Sequence, residues 1–515
     1  MPDRPSRRSF VLGVGAVTSV LAGCAGLSGD GSTPTGDGTR TDDSTPTDGP
    51  TPTDDPIQDS DGDGVIDSED YAPRDPDVQE KSDLTSTETG TDPGPSSTDT
   101  PERTSTPGGA ADAWTETAVT RLAAADGEPD ENFGSSVAVF GNLALVGAPG
   151  DEAPGDGNDN PSDAPPNGSA YAFSRVDGEW TQQAKLRLDS GNGGRAFGVS
   201  VAFDGLTGLV GDPGFDEFNQ SAGSVHAFSR VGGEWTRTAE LLPDADLQRD
   251  PDFGWSVALD GDTAVVGAPD QDNERGSRAG TAYVFSRAGD DWIREAALVA
   301  NDGDDDDAFG WSVAVEGDTA LVGAMRDEHP NGENAGSAYV FSRSNGSWSQ
   351  QAKLVPDDGD ADDEFGRSVA LDGDRAVVGA SQDEDPNGAG AGSAYVFART
   401  DGGWSRESKL VDPEGIPGAA FGRSVAAAEG TAFVGAYADD RFGETAGSAH
   451  AFSRPDGEWG RAARLAPGES DAGDRFGWSI DASGRTAIVG ADHDEDPNGD
   501  RAGAAYVIEA GANAQ

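Results

Sequence analysis

Apolar and polar residues alternate in short runs from about residue 112 to residue 511, and each run is bounded by Gly, Asp or Pro. In the stretch FGWSVALDGDTAVVGAPD, the pattern predicts a strand around Ser256–Leu259, a turn at Asp260-Gly261 and a second strand at Thr263–Val266. A third strand is predicted in GTAYVFSR from Gly280, and a fourth in DWIREAALV from Asp291. The predicted unit is therefore a sheet of four antiparallel strands.

This unit recurs seven times at a nearly constant spacing. Each unit contains a Phe-Gly pair, and the phenylalanines lie at Phe133, Phe197, Phe253, Phe309, Phe365, Phe421 and Phe476. A Val-Gly pair follows 13 residues after each phenylalanine, at Val146, Val210, Val266, Val322, Val378, Val434 and Val489. Four strands repeated at about this period predict a β-propeller or a solenoid.

The distribution of the fourth strand favours a closed ring. Its pattern of Trp, Ala and Leu occurs before the first Phe-Gly pair, in WTETAVTRL from Trp114, and is missing after the seventh unit, which ends in AAYVIEAGANAQ. We therefore predict that the N-terminal strand completes the last blade and leaves no open edge between first and last blades. The predicted fold class is all-β: a seven-bladed β-propeller of four-stranded antiparallel blades at residues 112–511, preceded by a disordered N-terminal stalk.

Charge and composition exclude several classes of function. The chain has 95 acidic and 35 basic residues, a net charge of −60, so we expect no nucleic acid partner, which would require Lys/Arg clusters. Only four cations are lysines, and this acidic, lysine-poor composition resembles that of proteins from extreme halophiles. Four histidines, one cysteine and two methionines argue against a His/Cys zinc site, a copper site or a disulfide framework.

Residues 1–24 are interpreted as an export signal. Ser6-Arg7-Arg8 precedes an uncharged stretch, Ser9 to Gly23, that is shorter than the roughly 20 residues of a membrane-spanning helix. The paired arginines resemble a twin-arginine signal, and Leu21-Ala22-Gly23-Cys24 resembles a lipobox. We therefore expect an exported protein that a lipid on Cys24 anchors to the outer face of the cell membrane.

The next segment, up to residue 111, has almost no large apolar residue and predicts a disordered stalk. We divide it into linkers at 25–56 and 79–111 and an island at 57–78. The island contains calcium-ligand spacing, with a Gly at the sharp turn, in Asp59, Asp61, Asp63, Gly64, Val65, Asp67 and Asp70. It resembles a thrombospondin type 3 repeat, which implies bound Ca²⁺. A merely solvated acidic run is the alternative.

The repeated residues resemble the FG-GAP repeat, the unit of the integrin α-subunit head propeller. Phe253-Gly254 and Val266-Gly267-Ala268-Pro269 carry the match, together with their equivalents between Trp114 and Gly511. The resemblance implies a seven-bladed propeller used for extracellular binding. Integrin-type repeats have an Asp-rich calcium loop between the first two strands. Here that connection is as short as Asp260-Gly261-Asp262, so we do not transfer that calcium site.

Acidic clusters lie in the connections from strand 2 to strand 3 and from strand 4 to the next blade, and strand parity predicts that these connections share one face. The clusters include Asp383, Asp385 and Asn387; Asp494, Asp496 and Asn498; Asp304 to Asp307; and Asp357 to Glu364. One interpretation is a surface that binds divalent cations and bridges to a ligand. The other is solvation of loop tips in high salt.

No catalytic set can be assembled, so we expect no enzyme. The serines of GWSVA and GRSVA recur in most units on a strand, which indicates packing rather than a nucleophile. His226 and His450 replace the Tyr of GSAYVF and are expected to act as aromatic substitutes, whereas His329 and His493 lie singly in acidic loops.

The predicted function is surface binding or adhesion, with an extracellular protein or glycan as ligand. A polysaccharide lyase or hydrolase built on the propeller, or a passive envelope component, are the alternatives. Sequence alone leaves open whether the sequons at Asn167, Asn219 and Asn345 carry glycans.

Overall fold

The computed structural model describes residues 114, 117–151, 168–188, 196–214, 223–243, 252–289, 291–328, 330–384, 386–401, 403–467 and 471–511. The predicted export signal, the stalk and the calcium loop lie outside these residues, and so do His329, Asp385, Asn167 and Asn219.

The described residues form seven four-stranded antiparallel sheets, which are the seven predicted blades. Blades 1 to 3 contain β2 (Ser136–Phe140), β3 (Leu143–Ala148), β4 (Ser169–Val176), β5 (Glu179–Leu186); β6 (Val201–Phe203), β7 (Thr207–Asp212), β8 (Ser224–Val231), β9 (Glu234–Leu241); and β10 (Ser256–Asp260), β11 (Thr263–Ala268), β12 (Thr281–Ala288), β13 (Asp291–Leu298). Blades 4 and 5 contain β14 (Phe309–Glu316), β15 (Thr319–Ala324), β16 (Ser337–Ser344), β17 (Ser347–Leu354); and β18 (Phe365–Asp372), β19 (Arg375–Ala380), β20 (Ser393–Thr400), β21 (Gly403–Leu410). Blades 6 and 7 contain β22 (Ser424–Ala428), β23 (Thr431–Ala436), β24 (Ser448–Ser453), β25 (Gly460–Leu465); and β26 (Ser479–Ser483), β27 (Thr486–Ala491), β28 (Ala504–Ala510), β1 (Thr117–Leu122).

The ring closes as the sequence predicts. Strand β1 pairs with β28 in continuous antiparallel register, from Thr117 opposite Ala510 to Leu122 opposite Ala505. Trp114 is buried, and its ring packs edge-on against Phe433 of blade 6 at a centroid distance of 4.8 Å. The N-terminal segment therefore fills the outer position of blade 7 and also packs against the neighbouring blade.

The Phe-Gly pair joins each blade to its neighbour. The ring of Phe309 is fully buried and packs edge-on against Tyr339 and Phe341, at centroid distances of 5.5 and 5.9 Å. Gly310 has a φ of 93°, and a Cβ there would lie 2.6 Å from the carbonyl oxygen of Thr281 in the preceding blade. The aromatic residue fills the core, and the glycine allows the two backbones to approach.

A ring of serine hydroxyls surrounds the central channel. Each serine two residues after a Phe-Gly pair donates to the carbonyl of the corresponding glycine in the next blade, at 2.8 to 2.9 Å, as Ser256 does to Gly310. Ser479 of blade 7 donates to Gly134 of blade 1 and completes the circle. The structure therefore confirms that these serines recur for packing.

The turns between the first two strands are tight, as the sequence indicates. Strand β10 ends at Asp260 and β11 begins at Thr263, so two residues connect them. The Asp260 carboxylate accepts from the amide of Gly317 in the next blade at 2.6 Å, and is not part of a loop that wraps an ion. Ca²⁺ takes six to eight oxygens, which these turns do not provide. Among the residues placed by the structure, no helix has the length and apolar character required to span a bilayer.

Candidate functional site

One position of the repeat departs from the seven-fold pattern, and it lines the central channel. It is the residue between each Phe-Gly pair and the ring serine, and the seven blades place there Ser135, Val199, Trp255, Trp311, Arg367, Arg423 and Trp478. These residues surround a cavity of about 350 Å³ at one end of the channel. We call Trp255, Trp311, Arg367, Arg423 and Trp478 the mouth cluster. Blades 1 and 2 contribute only a small side chain each to the same circle.

The indole rings of the mouth cluster are half-buried and pack against one another or against cations. The rings of Trp255 and Trp311 lie 4.7 Å apart between centroids at 51°. Tyr437, from the connection between β23 and β24, meets the Trp478 ring edge-on at 5.0 Å. Arg367 lies 5.7 Å from the centre of the Trp311 ring. The mouth therefore presents aromatic rings beside guanidinium groups.

The two arginines of the mouth differ in how they are neutralised. Arg367 donates to Glu364 at 2.7 Å, and the same carboxylate accepts from Ser381. The Arg423 guanidinium lies 4.1 Å over the Trp478 ring and makes no ion pair with any described residue. Its buried Nε has no hydrogen-bond partner in that part of the chain. Burial, and then repulsion from Arg367, lower the pKa of Arg423 to about 9, so the group stays charged at neutral pH.

Below the mouth, the channel continues into a section of about 270 Å³ that is lined mainly by Val, Ala, Leu and Phe residues. One polar side chain, Asp481 of blade 7, replaces the alanine found at this position in all six other blades. Its carboxylate accepts from the amide of Val139 in blade 1 at 2.7 Å, across the seam where the ring closes. Burial raises the pKa of Asp481 to about 6. This residue supports closure and lies away from the mouth cluster.

The acidic face contains a buried network that repeats from blade to blade. In blade 4, Asp327 is 1 % exposed, accepts from the Tyr339 hydroxyl, and lies 2.8 Å from Nζ of Lys353. Lys353 also lies 2.8 Å from Asp302, which precedes the blade. Although burial opposes its charge, hydrogen bonds to the two carboxylates raise the pKa of Lys353. The equivalent groups in blades 1, 5 and 7 are Asp151, Tyr171 and Lys185; Asp383, Tyr395 and Lys409; and Asp494, Tyr506 and Arg121.

These contacts correct the prediction for the acidic rim. The two connections share a face, as predicted, since Lys353 links Asp302 of one connection to Asp327 of the other. Asp383 and Asp494 are only 2 % and 3 % exposed and pair with cations of the same blade, so they are neither solvated loop tips nor open cation ligands. The prediction was wrong for them because sequence parity gives the face but not the burial.

A second buried carboxylate accompanies the network. In blade 4, Asp307 is 1 % exposed; one carboxylate oxygen accepts from the Asp304 amide at 2.8 Å and the other has no partner among the described residues. Burial, reinforced by the negative charge of Asp327, raises the pKa of Asp307 to about 7. The corresponding groups are Glu131, with a pKa of about 7, and Asp363 and Asp474, each with a pKa of about 6.

In blades 2 and 6, a histidine occupies the position of the tyrosine in this network. The ring of His450 packs against Phe421 at 5.5 Å, and that of His226 against Phe197 at 5.7 Å, where other blades use tyrosine. This confirms their interpretation as aromatic substitutes. Burial lowers the pKa of both histidines to about 4, so both imidazoles are neutral. His493, in blade 7, instead contacts Nη1 of Arg475 through Nε2 at 2.9 Å.

His450 also belongs to a group that could hold a metal. Ligand atoms of Asp412, Asp439 and His450, all buried, lie within 4.8 Å of one another. One imidazole with two carboxylates suits Zn²⁺ better than Ca²⁺, which prefers oxygen ligands alone. The guanidinium of Arg441 contacts both Asp412 and Asp439. It already supplies the positive charge that these carboxylates require.

Sequence reasoning missed the mouth cluster. It recognised the constant serine of GWSVA and GRSVA and explained it correctly, but gave no meaning to the residue before it. The sequence does contain a signal for this site: the seven units have Ser, Val, Trp or Arg at this position, whereas the neighbouring positions are nearly constant. The residues predicted to bind calcium, Asp59 to Asp70, remain a prediction because they lie outside the described residues.

Comparison with known protein families agrees with the repeat seen in the structure. A family model described as FG-GAP repeat matches seven segments that together cover more than half of the chain: 114–173, 180–228, 235–285, 292–341, 348–397, 404–452 and 459–508. Each segment begins in the outer strand of one blade or up to three residues before it, and ends in the third strand of the next. No curated protein sequence matches the chain.

Proposed function

The chain belongs to the FG-GAP repeat family, and from this premise we propose that it is a non-catalytic binding module of the cell surface whose ligand enters the channel mouth. The departure of the mouth cluster from seven-fold symmetry carries the proposal. Packing between blades requires the phenylalanine, the glycines and the serine, which are constant. It does not require three tryptophans and two arginines facing a cavity of about 350 Å³. Small-molecule sites have volumes of roughly 300–1,000 Å³ and few convergent polar groups.

The enzyme alternative has less support from the same residues. A hydrolase or lyase needs a positioned acid, base or nucleophile beside its substrate. The ring serines donate to backbone carbonyls, and Glu364, the carboxylate bonded to Arg367, is held by two partners. A polysaccharide that is shortened on incubation with the protein would favour the enzyme alternative.

The proposed location of the module follows from its N-terminal segment. We propose that a lipid on Cys24 holds the protein on the outer face of the cell membrane and that the segment 25–111 acts as its tether. Cys24→Ser should release the protein into the medium or leave it unprocessed. Unchanged processing and membrane retention would contradict the anchor.

Calcium binding is proposed for the stalk loop, where Asp59, Asp61, Asp63, Asp67 and Asp70 offer carboxylates and Val65 a backbone carbonyl. Weak binding of roughly 10⁻⁴ to 10⁻³ M is expected, as for extracellular modules. In calorimetry of the full-length chain in high salt, Asp61→Ala with Asp63→Ala should remove one binding event. The matched control is Asp42→Ala with Asp43→Ala, a pair outside the loop, which should leave calcium binding unchanged.

An array experiment tests binding at the mouth. The full-length chain is applied to glycan and protein arrays in high salt, with and without calcium, beside the variant Val199→Trp. Blades 3, 4 and 7 carry Trp at this repeat position, so the fold accommodates it while the added ring fills the mouth. Val231→Trp is the matched control, because Val231 is 74 % exposed and lies at the end of a strand remote from the mouth.

The proposal expects ligands that Val199→Trp loses and Val231→Trp retains. Ligands that both variants bind equally would indicate a binding site outside the mouth. No bound ligand at all would favour a passive envelope component.

A further inference from the structure

We infer that the mouth cluster binds a carboxylated sugar ring, such as the uronate at the end of an acidic polysaccharide chain. The inference rests on the proposed function, since it names the ligand class for the same site. Three features carry it: an arginine that makes no ion pair with a described carboxylate, half-buried aromatic rings that line the cavity, and the size of the cavity.

The positive charge of Arg423 favours an anionic ligand. Arg423 lies inside a protein with a net charge of −60, yet no described carboxylate pairs with it, and its buried Nε has no partner there. Arg367, which pairs with Glu364, lies close enough to repel it, and the charges of Asp492 and Glu364 favour its charged form without an ion pair to it. A guanidinium binds a carboxylate through two parallel hydrogen bonds, which a planar anion between Arg367 and Arg423 would supply. High salt screens the net negative charge beyond a few ångströms, so the local cation decides the preference.

The aromatic rings select a ring-shaped ligand. Trp255 and Trp311 form a tilted pair on one side of the mouth, and Trp478 lies under Arg423 on the other. Indole provides a large rigid apolar surface at low entropic cost, which suits the C–H face of a pyranose. An inorganic anion would use the arginines and leave the three tryptophans without a role.

The volume of the cavity limits the size of the ligand. Its volume of about 350 Å³ is at the lower end of small-molecule sites and fits one or two sugar rings, not a folded partner. Ser135 and Val199 leave the circle open on the side of blades 1 and 2, next to Pro149. A chain end can therefore enter from the face that carries the connections between the second and third strands.

The test compares digalacturonate with its methyl ester, which has the same rings without the charge. Binding to the full-length chain is followed by calorimetry and by tryptophan fluorescence in high salt. The native protein should bind the acid at least about tenfold more tightly than the ester, because hydrogen bonds to charged groups dominate the difference. Arg423→Gln should abolish that preference, and Arg423→Lys should restore part of it. Arg287→Gln, an arginine paired with Asp262 in the turn between β10 and β11, is the matched control and should retain it.

Two results would overturn the inference. Equal binding of acid and ester by the native protein would remove the role of Arg423. Failure of digalacturonate to bind, with array ligands that Val199→Trp still loses, would leave the mouth as the site and refute the ligand class. If no ligand responds to Val199→Trp, the proposed function fails as well, so the two failures are distinguishable. Thermal melts of each variant confirm that the ring is intact.

Discussion

Replacing Lys353 by methionine should destabilise the propeller far more than removing a half-buried cation whose equally short ion pair is made with an exposed carboxylate. Nζ of Lys353 lies 2.8 Å from both Asp302 and Asp327, and the Asp327 side chain is 1 % exposed. Methionine keeps most of the aliphatic stem but removes the cation that faces the buried Asp327 carboxylate, which also accepts from the Tyr339 hydroxyl.

The magnitude follows from burial. Breaking a buried ion pair by removing one partner costs about 3–5 kcal/mol. Lys353 is 18 % exposed, so water can partly replace it, and we expect about 3 kcal/mol. Arg287→Met is the matched control, since Arg287 lies 2.7 Å from an Asp262 that is 68 % exposed. An exposed pair of this kind contributes about 0–1 kcal/mol.

Urea unfolding at constant high salt measures both variants, with the midpoint giving the stability change where the slope is unaltered. Adding Asp327→Asn to Lys353→Met should recover most of the loss, because a neutral amide at this position no longer needs the cation that Lys353 supplied. Equal losses for Lys353→Met and Arg287→Met, or no recovery in the double variant, would refute the reasoning.

Three further predictions concern other parts of the molecule. The pKa values of Asp307 and Glu131 are raised to about 7, so the native state binds more protons than the unfolded chain between about pH 4 and pH 7. The stability that these two carboxyls contribute should therefore fall as pH rises through this window, against the opposite contribution of the buried histidines. The difference in urea midpoint between the native protein and Asp307→Asn should shrink as pH rises from about 4 to 7; a difference that does not change with pH would contradict the assignment. Deleting residues 111–122 should lower the melting temperature much more than deleting 25–110, and equal melting would disprove the role of β1 in closure. Arg441→Ala should bind one more equivalent of Zn²⁺ by calorimetry than the native chain, unless Asp412, Asp439 and His450 are not a latent ligand set.

The ring was predictable because every repeat unit packs against the next unit in the same way. Seven units with the same spacing of Phe-Gly and Val-Gly require the same packing seven times, and the outer strand missing from the last unit occurs at Trp114. The predicted strand boundaries around Ser256 and Thr263 agree with β10 and β11. The pairing of β1 with β28 confirms the closure.

The same reasoning did not identify the site, because the repeat explains the constant positions, whereas the mouth cluster lies at a variable one. Arg367 and Arg423 lie 56 positions apart in the chain and converge because both face the channel. The network of Lys353 is similar: its two carboxylates come from two connections, and the hydroxyl that donates to Asp327 comes from the next strand, β16. Sequence parity indicated that the connections share a face, but whether a carboxylate there is solvated depends on the cation that packs beside it.

The pairing of the first strand with the last also has a consequence for biosynthesis. Thr117 is translated long before Ala510, its partner, so β1 has no strand to pair with until the end of synthesis is near. Such a distant contact makes closure a late and slow step of folding. A chain that ends before β28 leaves two unpaired edges, one on β27 and one on β1, and unpaired edges promote aggregation. Only a complete chain can therefore pair both edges, and a prematurely terminated chain leaves them exposed.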